Sequence, residues 1–426
     1  MPSLGYAMEY IKRAIEDIVL RADKTFKSVL ITGARQTGKT EMIRKLFPQK
    51  KYVLIDDPFI EEQARLQPNM FMTINPPPVI YDEVQRVPEL FRYIKIACDS
   101  TKDKGLFCLS GSQPLELMEK ASESLSGRIC IIELSPLSQR EIDGVSFDLP
   151  FLPTMDYIQN RSTSVKVPNN LWERIHRGGY PELQDTSMDW GTFFSSYVKT
   201  YLERDVRKLS AVHDLNDFRR FMIAVAARTG QMLNYSNIAD EIGKDQTTIK
   251  SWMSILESSG IIYLLEPYTP SVLKRAIKTP KVYFRDTGLA AYLTRWLTPE
   301  TLANGAMSGP FFETFVISEI LKSYSNRGID YRYCVSYYRG RDKLKIQKDK
   351  KTVAAENEID LIIEENGILY PIEIKQNTFV TANETSAFTV LDKVNDKKRG
   401  MGAVICTCPQ PGLLRENILQ IPAWFI

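Results

Sequence analysis

Apolar residues along the chain change period several times, and each change marks an element. Met8, Ile11, Ile15, Ile18 and Val19 recur at three-to-four spacing, which predicts a helix over residues 8–22. Unbroken β-favouring runs follow at Phe26–Thr32, Lys51–Asp57, Val79–Tyr81, Leu106–Leu109 and Arg128–Leu134, with helical stretches such as Glu41–Leu46 among them. The stretch between Pro58 and Pro78 reads as irregular and proline-bearing. Strands alternating with helices imply right-handed crossovers and a mostly parallel sheet. Residues 145–170 are poor in pattern and rich in Pro, Ser and Asn, so a boundary or flexible insert is expected there.

Beyond that break the period becomes helical. Phe193, Phe194, Tyr197, Tyr201 and Leu202 form the core stripe of an amphipathic helix over Met188–Leu209. Three shorter helices are predicted at Phe218–Ala227, Ile238–Ile242 and Gln246–Ser258, with polar starts at Ser236 and Gln246. Gly260 stops the last one and the β-rich IIYLLEPY begins, which reads as a helix-turn-helix with a wing. Two uses stay open. Gln246, Thr247, Thr248 and Lys250 would face a DNA groove while Lys274, Arg275 and Lys278 touch phosphate, or the unit serves as a lid or protein-contact module. The second use gains from charge, since the recognition helix carries one lysine and phosphate contacts usually dominate affinity.

The last segment turns on Asn366-Gly367 between two alternating runs, a strong hairpin signal. With these two residues as the turn, Glu365 faces Ile368, so Asp360 falls opposite Glu373 and Glu358 opposite Lys375. Ile359, Leu361, Ile363, Tyr370, Ile372 and Ile374 would share the buried face, leaving Asp360, Glu373 and Lys375 clustered on the other. Cross-strand carboxylates about 5 Å apart repel by roughly 3 kcal/mol at an effective dielectric near 20, about two pKa units. A divalent cation or Lys375 would offset that. Phe388–Lys398 reads as helical and Gly402–Cys406 as a further strand.

Composition narrows the class. A chain of 426 residues suggests two to four domains at about 150 residues each. A net charge of +3 and a pI near 8.3 leave any nucleic-acid contact to local patches. The N-terminus scatters charge through its pattern, unlike a signal peptide, and no apolar run approaches the roughly 20 residues that span a bilayer. The six cysteines sit mostly in apolar strands, as reduced core residues of a cytoplasmic protein do. Cys406-Thr407-Cys408 could be a metal pair, but only His176 and His213 are available to complete a zinc site.

Two motifs carry chemistry. Gly33-Ala34-Arg35-Gln36-Thr37-Gly38-Lys39-Thr40 fits G-x-x-x-x-G-K-[ST] between a strand and a helix. Its glycines let successive N–H groups point at phosphate oxygens, Lys39 would reach the β and γ phosphates, and Thr40 would hold Mg²⁺. The run Val79–Tyr81 then delivers Asp82 to the metal shell and Glu83 to orient and activate the attacking water. Leu106–Leu109 ends in Ser110-Gly111-Ser112-Gln113 on the same sheet edge, where Ser112 or Gln113 would sense nucleotide or merely cap a turn.

The segments GARQTGKT, VIYDE, LSGSQ, SLSGR and ELSPLSQRE resemble those of prokaryotic AAA-type ATPases that carry an uncharacterised nuclease-like C-terminal domain. The segments GGYPE (178–182), YLERD (201–205) and YFRDTGL (283–289) extend that likeness over nearly the whole chain. The resemblance implies ATP rather than GTP, in keeping with the lack of an Asn-Lys-x-Asp signature, and an arginine from a neighbouring subunit or the lid completing the site; Arg128 and Arg204 are the candidates, or are ordinary salt-bridging arginines. The C-terminal pattern resembles the PD-(D/E)xK nucleases: Asp360 and Glu373 would hold Mg²⁺, Lys375 would position or activate water, and Glu313 matches the additional acid. One departure is the insert YRGRDKLKIQKDKKTV (338–353), which lengthens the hairpin feeding the site. Its basic residues follow Tyr331, Tyr333, Tyr337 and Tyr338, a mixture that suits nucleic acid or a solvated loop equally.

The expected fold is α/β: a P-loop AAA-type parallel sheet, then a winged helix-turn-helix lid and a restriction-endonuclease-like α/β domain. The expected divisions are residues 1–145, 146–210, 211–290 and 300–426. The expected function is ATP hydrolysis coupled to nucleic-acid binding, with DNA the favoured partner and Mg²⁺-dependent cleavage open. The alternative is a nucleotide-dependent switch that binds DNA or a partner without cutting. Assembly as a homo-oligomer is compatible with either, and no membrane association is expected.

Overall fold

Five parallel strands, β1 (Ser28–Thr32), β2 (Lys51–Leu54), β3 (Val79–Asp82), β4 (Phe107–Ser110) and β5 (Ile129–Glu133), form the first sheet of the computed structural model, in the order β2-β3-β4-β1-β5. The structure describes residues 10–111, 125–202, 206, 214–269, 279–346 and 352–426; for 341–346 and 352–356 it describes the backbone alone. Strand β1 is buried on both faces, which is why its sequence is a continuous apolar run rather than an alternation. Val29 and Ile31 pack with α1 (Glu16–Thr25) and α2 (Lys39–Leu46), while Leu30 joins the opposite core with Tyr81, Phe107 and α5 (Leu90–Asp99). The register pairs Ile31 with Ser110, Tyr81 with Leu109 and Thr32 with Glu133, so the polar strand ends meet on one edge.

Two expectations change here. The first helix begins at Glu16, because the Glu16 carboxylate accepts from Tyr10 Oη at 2.6 Å and from the Arg13 amide at 2.8 Å, holding residues 10–15 in a non-helical turn. The proline-bearing stretch is not irregular. It forms α3 (Pro58–Leu66) and α4 (Pro68–Ile74), each with proline at its first position, where the missing N–H costs nothing, and Asp57 caps the first.

After α6 (Gln139–Ile142), the segment expected to hold a boundary or a flexible insert contains α7 (Met155–Ser162) and is tied down rather than loose. Tyr157 Oη donates to the Phe425 carbonyl at 2.8 Å, Arg161 Nε does so at 3.2 Å, and Phe151 packs edge-on against Tyr157. Helices α8 (Leu171–Arg177) and α9 (Trp190–Tyr201) precede α10 (Leu215–Ala226), α11 (Tyr235–Ile242) and α12 (Gln246–Ser258). These enclose a small antiparallel sheet, β6 (Gln231–Met232), β7 (Ile262–Leu265) and β8 (Lys281–Phe284), ordered β6-β8-β7. The caps of α11 and α12 are Asn234 and Asp245 rather than Ser236 and Gln246, one or two residues earlier than the periodicity suggested. Helix α9 starts at Trp190, capped by Asp189, two residues after the expected start; most of the expected run beyond Leu202 lies outside the described residues.

The chain then passes through α13 (Thr287–Leu293), α14 (Pro299–Ala303) and α15 (Ser308–Ser325) into a mixed sheet. Its strands are β9 (Val335–Ile346), β10 (Thr352–Glu365), β11 (Ile368–Ile374), β12 (Lys398–Arg399), β13 (Gly402–Cys406), β14 (Gly412–Arg415) and β15 (Ile418–Pro422). The main path runs β14-β15-β13-β11-β10-β9, with β12 beside β11. Asn366 and Gly367 both adopt positive φ, 52° and 76°, and the hairpin pairs Glu365 with Ile368 through Leu361 with Ile372, the register the turn chemistry requires. Ile359 departs from the expected face. A β-bulge between Ile359 and Ile362 turns it away from Leu361 and Ile363 into a second core with Ile362, Leu369 and Phe388, so both faces of the sheet are covered. A 3₁₀ run at Ala382–Lys393 lies where the helix at Phe388–Lys398 was expected. Helix α15 is buried nearly all round, and one continuous core runs from Phe151 to Ile426. Among the described residues, no helix is long and apolar enough to cross a membrane.

Candidate functional sites

The phosphate loop lies between β1 and α2, at the edge where the strand order reverses. Gly33 has φ +132° and a Cβ there would meet the Leu134 carbonyl oxygen at 2.3 Å, so only glycine lets the chain turn beside β5. Gln36 (φ 57°) and Gly38 (φ 88°) complete the reversal into α2. Lys39 is folded inward, its Nζ donating to Gly33 O at 2.9 Å and Ala34 O at 2.7 Å. Thr40 Oγ1 donates to Asp82 Oδ2 at 2.8 Å, and Tyr52 Oη reaches the same oxygen at 2.6 Å while Ser110 Oγ bonds the other. Asp82 is therefore buried but saturated with donors. Its neighbour Glu83 adopts left-handed backbone (φ 59°), a conformation costly for a side-chain-bearing residue, and accepts from Gln85. Gln36, Gly38, Lys39, Thr40, Glu83 and Thr200 of α9 line one cavity of roughly 440 Å³ beside the loop.

A residue missed in the sequence supports this loop from below. Arg13 donates from Nη1 to Thr37 O at 2.7 Å, from Nη2 to Ser135 O at 2.7 Å and from Nε to Glu141 Oε1 at 2.9 Å, with both side chains about 97% buried or more. Burial alone would raise the Glu141 value, but the Arg13 charge and bonds from the Ser138 and Ala14 amides outweigh it and hold the carboxyl low. No motif signals this. Arg13 reads as an ordinary charge in an amphipathic segment.

Of the two candidate arginines, Arg128 precedes β5, and the register that sets Ile129 beside Ser28 places it at the sheet edge opposite the loop. There it pairs with Asp99 at 2.5 Å, away from the cavity beside the loop of its own chain. Arg204 lies outside the described residues, as do Ser112, Gln113, Lys274, Arg275 and Lys278. A different arginine reaches the edge of the sheet that carries the loop. Arg285 Nη1 pairs at 2.7 Å with Glu133, the last residue of β5. Beside it Gly260, with φ +72°, presses the end of α12 so close to the loop that a Cβ would stand 3.2 Å from the Ala34 nitrogen. On α12 itself, Gln246 donates to Ser236 Oγ at 2.9 Å and Thr248 Oγ1 to Asp245 at 2.7 Å. Two of the four residues expected to face a DNA groove are thus engaged within the unit.

The second cluster assembles from three elements. The paired register ends at Leu361–Ile372; just beyond it the Ile374 amide donates to Asp360 Oδ2 at 2.9 Å, and Asp360 lies close enough to Glu373 to act on its charge. Glu313, in the second turn of α15, accepts from Tyr283 Oη at 2.6 Å. Lys375 Nζ stands 2.5 Å from Glu373 Oε1, while the buried Glu373 Oε2 has no hydrogen-bond partner among the described residues. Glu358, expected across from Lys375, instead pairs at 2.7 Å with Lys281 of β8. Burial, and then the Asp360 charge, push Glu313 up to about 7 and Glu373 up to about 8, against the opposing pull of Lys281 and Lys375 respectively. Asp360 is raised too, by burial. The donor set is all oxygen and suits Mg²⁺. As placed, however, no group of three or more His, Cys, Asp or Glu among the described residues is close enough to hold a metal ion. Glu313, Asp360 and Glu373 share one electrostatic cluster without yet forming a ligand trio.

Residues 25–143 match the model of an AAA domain. Residues 168–300 match a domain of unknown function (DUF8612), and residues 308–425 match another domain of unknown function (DUF4143). The chain is 26% identical over 367 residues to the uncharacterized proteins Rv2008c of Mycobacterium tuberculosis and Mb2031c of Mycobacterium bovis, covering 85% of this chain and 74% of theirs. Among solved structures it is similar to the Walker-type ATPase PABY2304 of Pyrococcus abyssi, at 14% identity and a TM-score of 0.39, covering 66% of this chain and 94% of that one. A signal transduction ATPase with numerous domains and a tetratricopeptide repeat sensor, from Pyrococcus horikoshii, aligns at 10% identity and a TM-score of 0.27 over 76% of this chain and 48% of its own. The AAA match and the parallel strand order together define the first sheet as an AAA-type, P-loop ATPase-like domain.

Proposed function

We propose that the chain binds and hydrolyses ATP and uses that cycle as a switch acting on its C-terminal sheet. The observation that carries this is the 2.8 Å bond between Thr40 and Asp82: it joins the end of the phosphate loop to the acid that ends β3, beside a cavity shared with Lys39 and Glu83. In this reading Lys39 leaves the loop carbonyls for the β and γ phosphates, the backbone from Gly33 to Gly38 cradles them, and Thr40 with Asp82 holds Mg²⁺. When bound, such an ion would screen the phosphate charge. Glu83, aimed by its left-handed backbone, orients and deprotonates the attacking water. Steady-state phosphate release from Lys39→Ala should fall by at least a hundredfold; a variant as fast as wild type removes the assignment.

The switch reading is supported by the two contacts at the loop, Gly260 on Ala34 and Arg285 on Glu133, because anything that moves the loop meets the middle unit directly. That unit's three helices and its β6-β8-β7 sheet have the order of a winged helix. A second reading adds Mg²⁺-dependent cleavage of nucleic acid at Asp360, Glu373 and Lys375, favoured by the carboxylates facing each other across the hairpin with a lysine beside them. Incubating plasmid and single-stranded DNA and RNA with Mg²⁺ or Mn²⁺ tests it: cleavage lost in Asp360→Ala supports a cutting site, and cleavage that persists refutes it. With no cleavage by either protein, the switch stands alone.

A further inference from the structure

The carboxylate cluster contains a cation that the hairpin does not supply. Lys281 opens β8, which is paired on both sides, with Met232 of β6 and Leu265 of β7. Its side chain is 4% exposed, and its Nζ stands 2.7 Å from Glu358 Oε1, 3.3 Å from Glu313 Oε1 and 3.9 Å from Asp360 Oδ1. The ring of Tyr337 lies 5.5 Å from the same nitrogen. A buried lysine is ordinarily expensive, and here it is held by three carboxylates from two elements. Its place is also where an ion bound to Glu313 and Asp360 would have to stand. An ion about 2.0–2.6 Å from those two oxygens would stand within a few Å of the buried ammonium, and like charges that close in a low dielectric repel strongly. Lys281 therefore explains why carboxylates otherwise suited to a metal are not drawn into a ligand set.

A second observation points to a missing ligand. Four carboxyl groups, Glu313, Glu358, Asp360 and Glu373, gather around the two ammoniums of Lys281 and Lys375, and among the described residues the buried Glu373 Oε2 has no hydrogen-bond partner. A buried, unpaired carboxylate oxygen costs desolvation energy that nothing among the described residues returns.

We propose that Lys281 and a divalent cation are alternative occupants of this cluster, so that the site loads Mg²⁺ or Mn²⁺ only when β8 withdraws the ammonium. The inference rests on the reading of Glu313, Asp360 and Glu373 as metal ligands, and it adds the control of that site. Control comes from outside the hairpin. Lys281 begins the short strand whose far end runs into Arg285, the residue paired with Glu133 beside the phosphate loop. The same element thus reaches both sites.

Mn²⁺ titration of the full, nucleotide-free chain, read by the electron paramagnetic resonance signal of the free ion, tests this. Lys281→Met should gain a site at least tenfold tighter than wild type, Lys281→Arg should stay at the wild-type affinity, and adding Asp360→Asn to Lys281→Met should remove the gained site. Equal Mn²⁺ affinity in wild type and Lys281→Met, at a site that Asp360→Asn abolishes, overturns the exclusion while leaving the metal assignment intact. No Asp360-dependent site in any variant overturns both. Should Lys281→Met not fold, wild-type protein suffices: acetylation of Lys281 by an amine-reactive reagent, quantified by mass spectrometry, should rise several-fold on adding Mn²⁺, and unchanged labelling at saturating Mn²⁺ refutes the proposal.

Discussion

Replacing Arg13 by Met keeps the length of the side chain and removes its charge from beneath the phosphate loop. In the folded chain Arg13 donates to Glu141, Thr37 O and Ser135 O, and the pair is almost wholly buried. Removing one partner of a buried ion pair costs about 3–5 kcal/mol, because the other charge is left in low dielectric. Glu141 would retain its bonds from the Ser138 amide at 2.7 Å, Ser138 Oγ at 2.9 Å and the Ala14 amide at 2.8 Å, which places the cost near the lower limit, about 3 kcal/mol. Hydrogen exchange measured on peptides spanning β1 and α2 reads this as a local opening equilibrium. At about 1.4 kcal/mol per factor of ten, amides there should exchange somewhat over a hundredfold faster than in wild type.

The pH dependence gives the effect a sign. In wild type the Glu141 carboxyl is held below its ordinary value of 4.5, so its stabilisation is present above that value and is lost as pH falls through the folded one. Without Arg13, burial dominates and raises the carboxyl, so in the variant its contribution is present at low pH and is lost as pH rises. The gap between the two proteins should be widest near pH 8 and should narrow toward about pH 4.5. A gap below tenfold, or one of equal size at both ends, refutes the account of Arg13 as the counter-ion that fixes the loop.

Other outcomes rest on the same contacts. Arg285→Met leaves Glu133 unpaired but 39% exposed and able to hydrate, so the loss should be modest, about 1–2 kcal/mol, seen as faster exchange of β5 and β7 peptides rather than global unfolding. Gly260→Ala puts a Cβ at φ +72° and 3.2 Å from the Ala34 nitrogen; left-handed strain of about 1–2 kcal/mol should appear as a several-fold loss of affinity for a fluorescent ADP, with wild-type affinity the refuting result. Glu313 and Glu373, raised to about 7 and about 8, contribute stability that is present below their unfolded values and lost as pH climbs through 7 to 8. In chelator-treated protein, protection factors in β11, corrected for the intrinsic pH dependence of amide exchange, should therefore fall between about pH 4.5 and 8, by no more than about tenfold per pH unit for each proton released, and flat protection factors refute the shifts.

The phosphate loop, the acids after β3 and the turn at Asn366-Gly367 were legible from sequence because each depends on local chemistry. Glycines at fixed offsets, an apolar run that ends in carboxylates and two residues tolerant of positive φ all act over a few positions. The hairpin register from Glu365–Ile368 to Leu361–Ile372 came with the turn. Local reasoning failed where partners are distant in the chain. The prolines after β2 looked like breakers because proline at a helix start and proline in a loop differ only in the conformation of the residues downstream. Ile359 changed faces through a bulge that alternation alone does not reveal.

Charged residues divide along the same line. Arg13, Arg128, Lys281 and Arg285 are indistinguishable in sequence from solvated surface charges, yet tertiary structure sends Arg128 to Asp99 at the wrong edge of the sheet and the other three inside. The sequence by itself determined which backbone could cradle phosphate and which strands would deliver acids. Only the tertiary structure decided which cations those groups meet, because a counter-ion is selected by proximity in space, and proximity between Arg13 and Thr37, or Lys281 and Asp360, exists only after the sheets and α15 have packed.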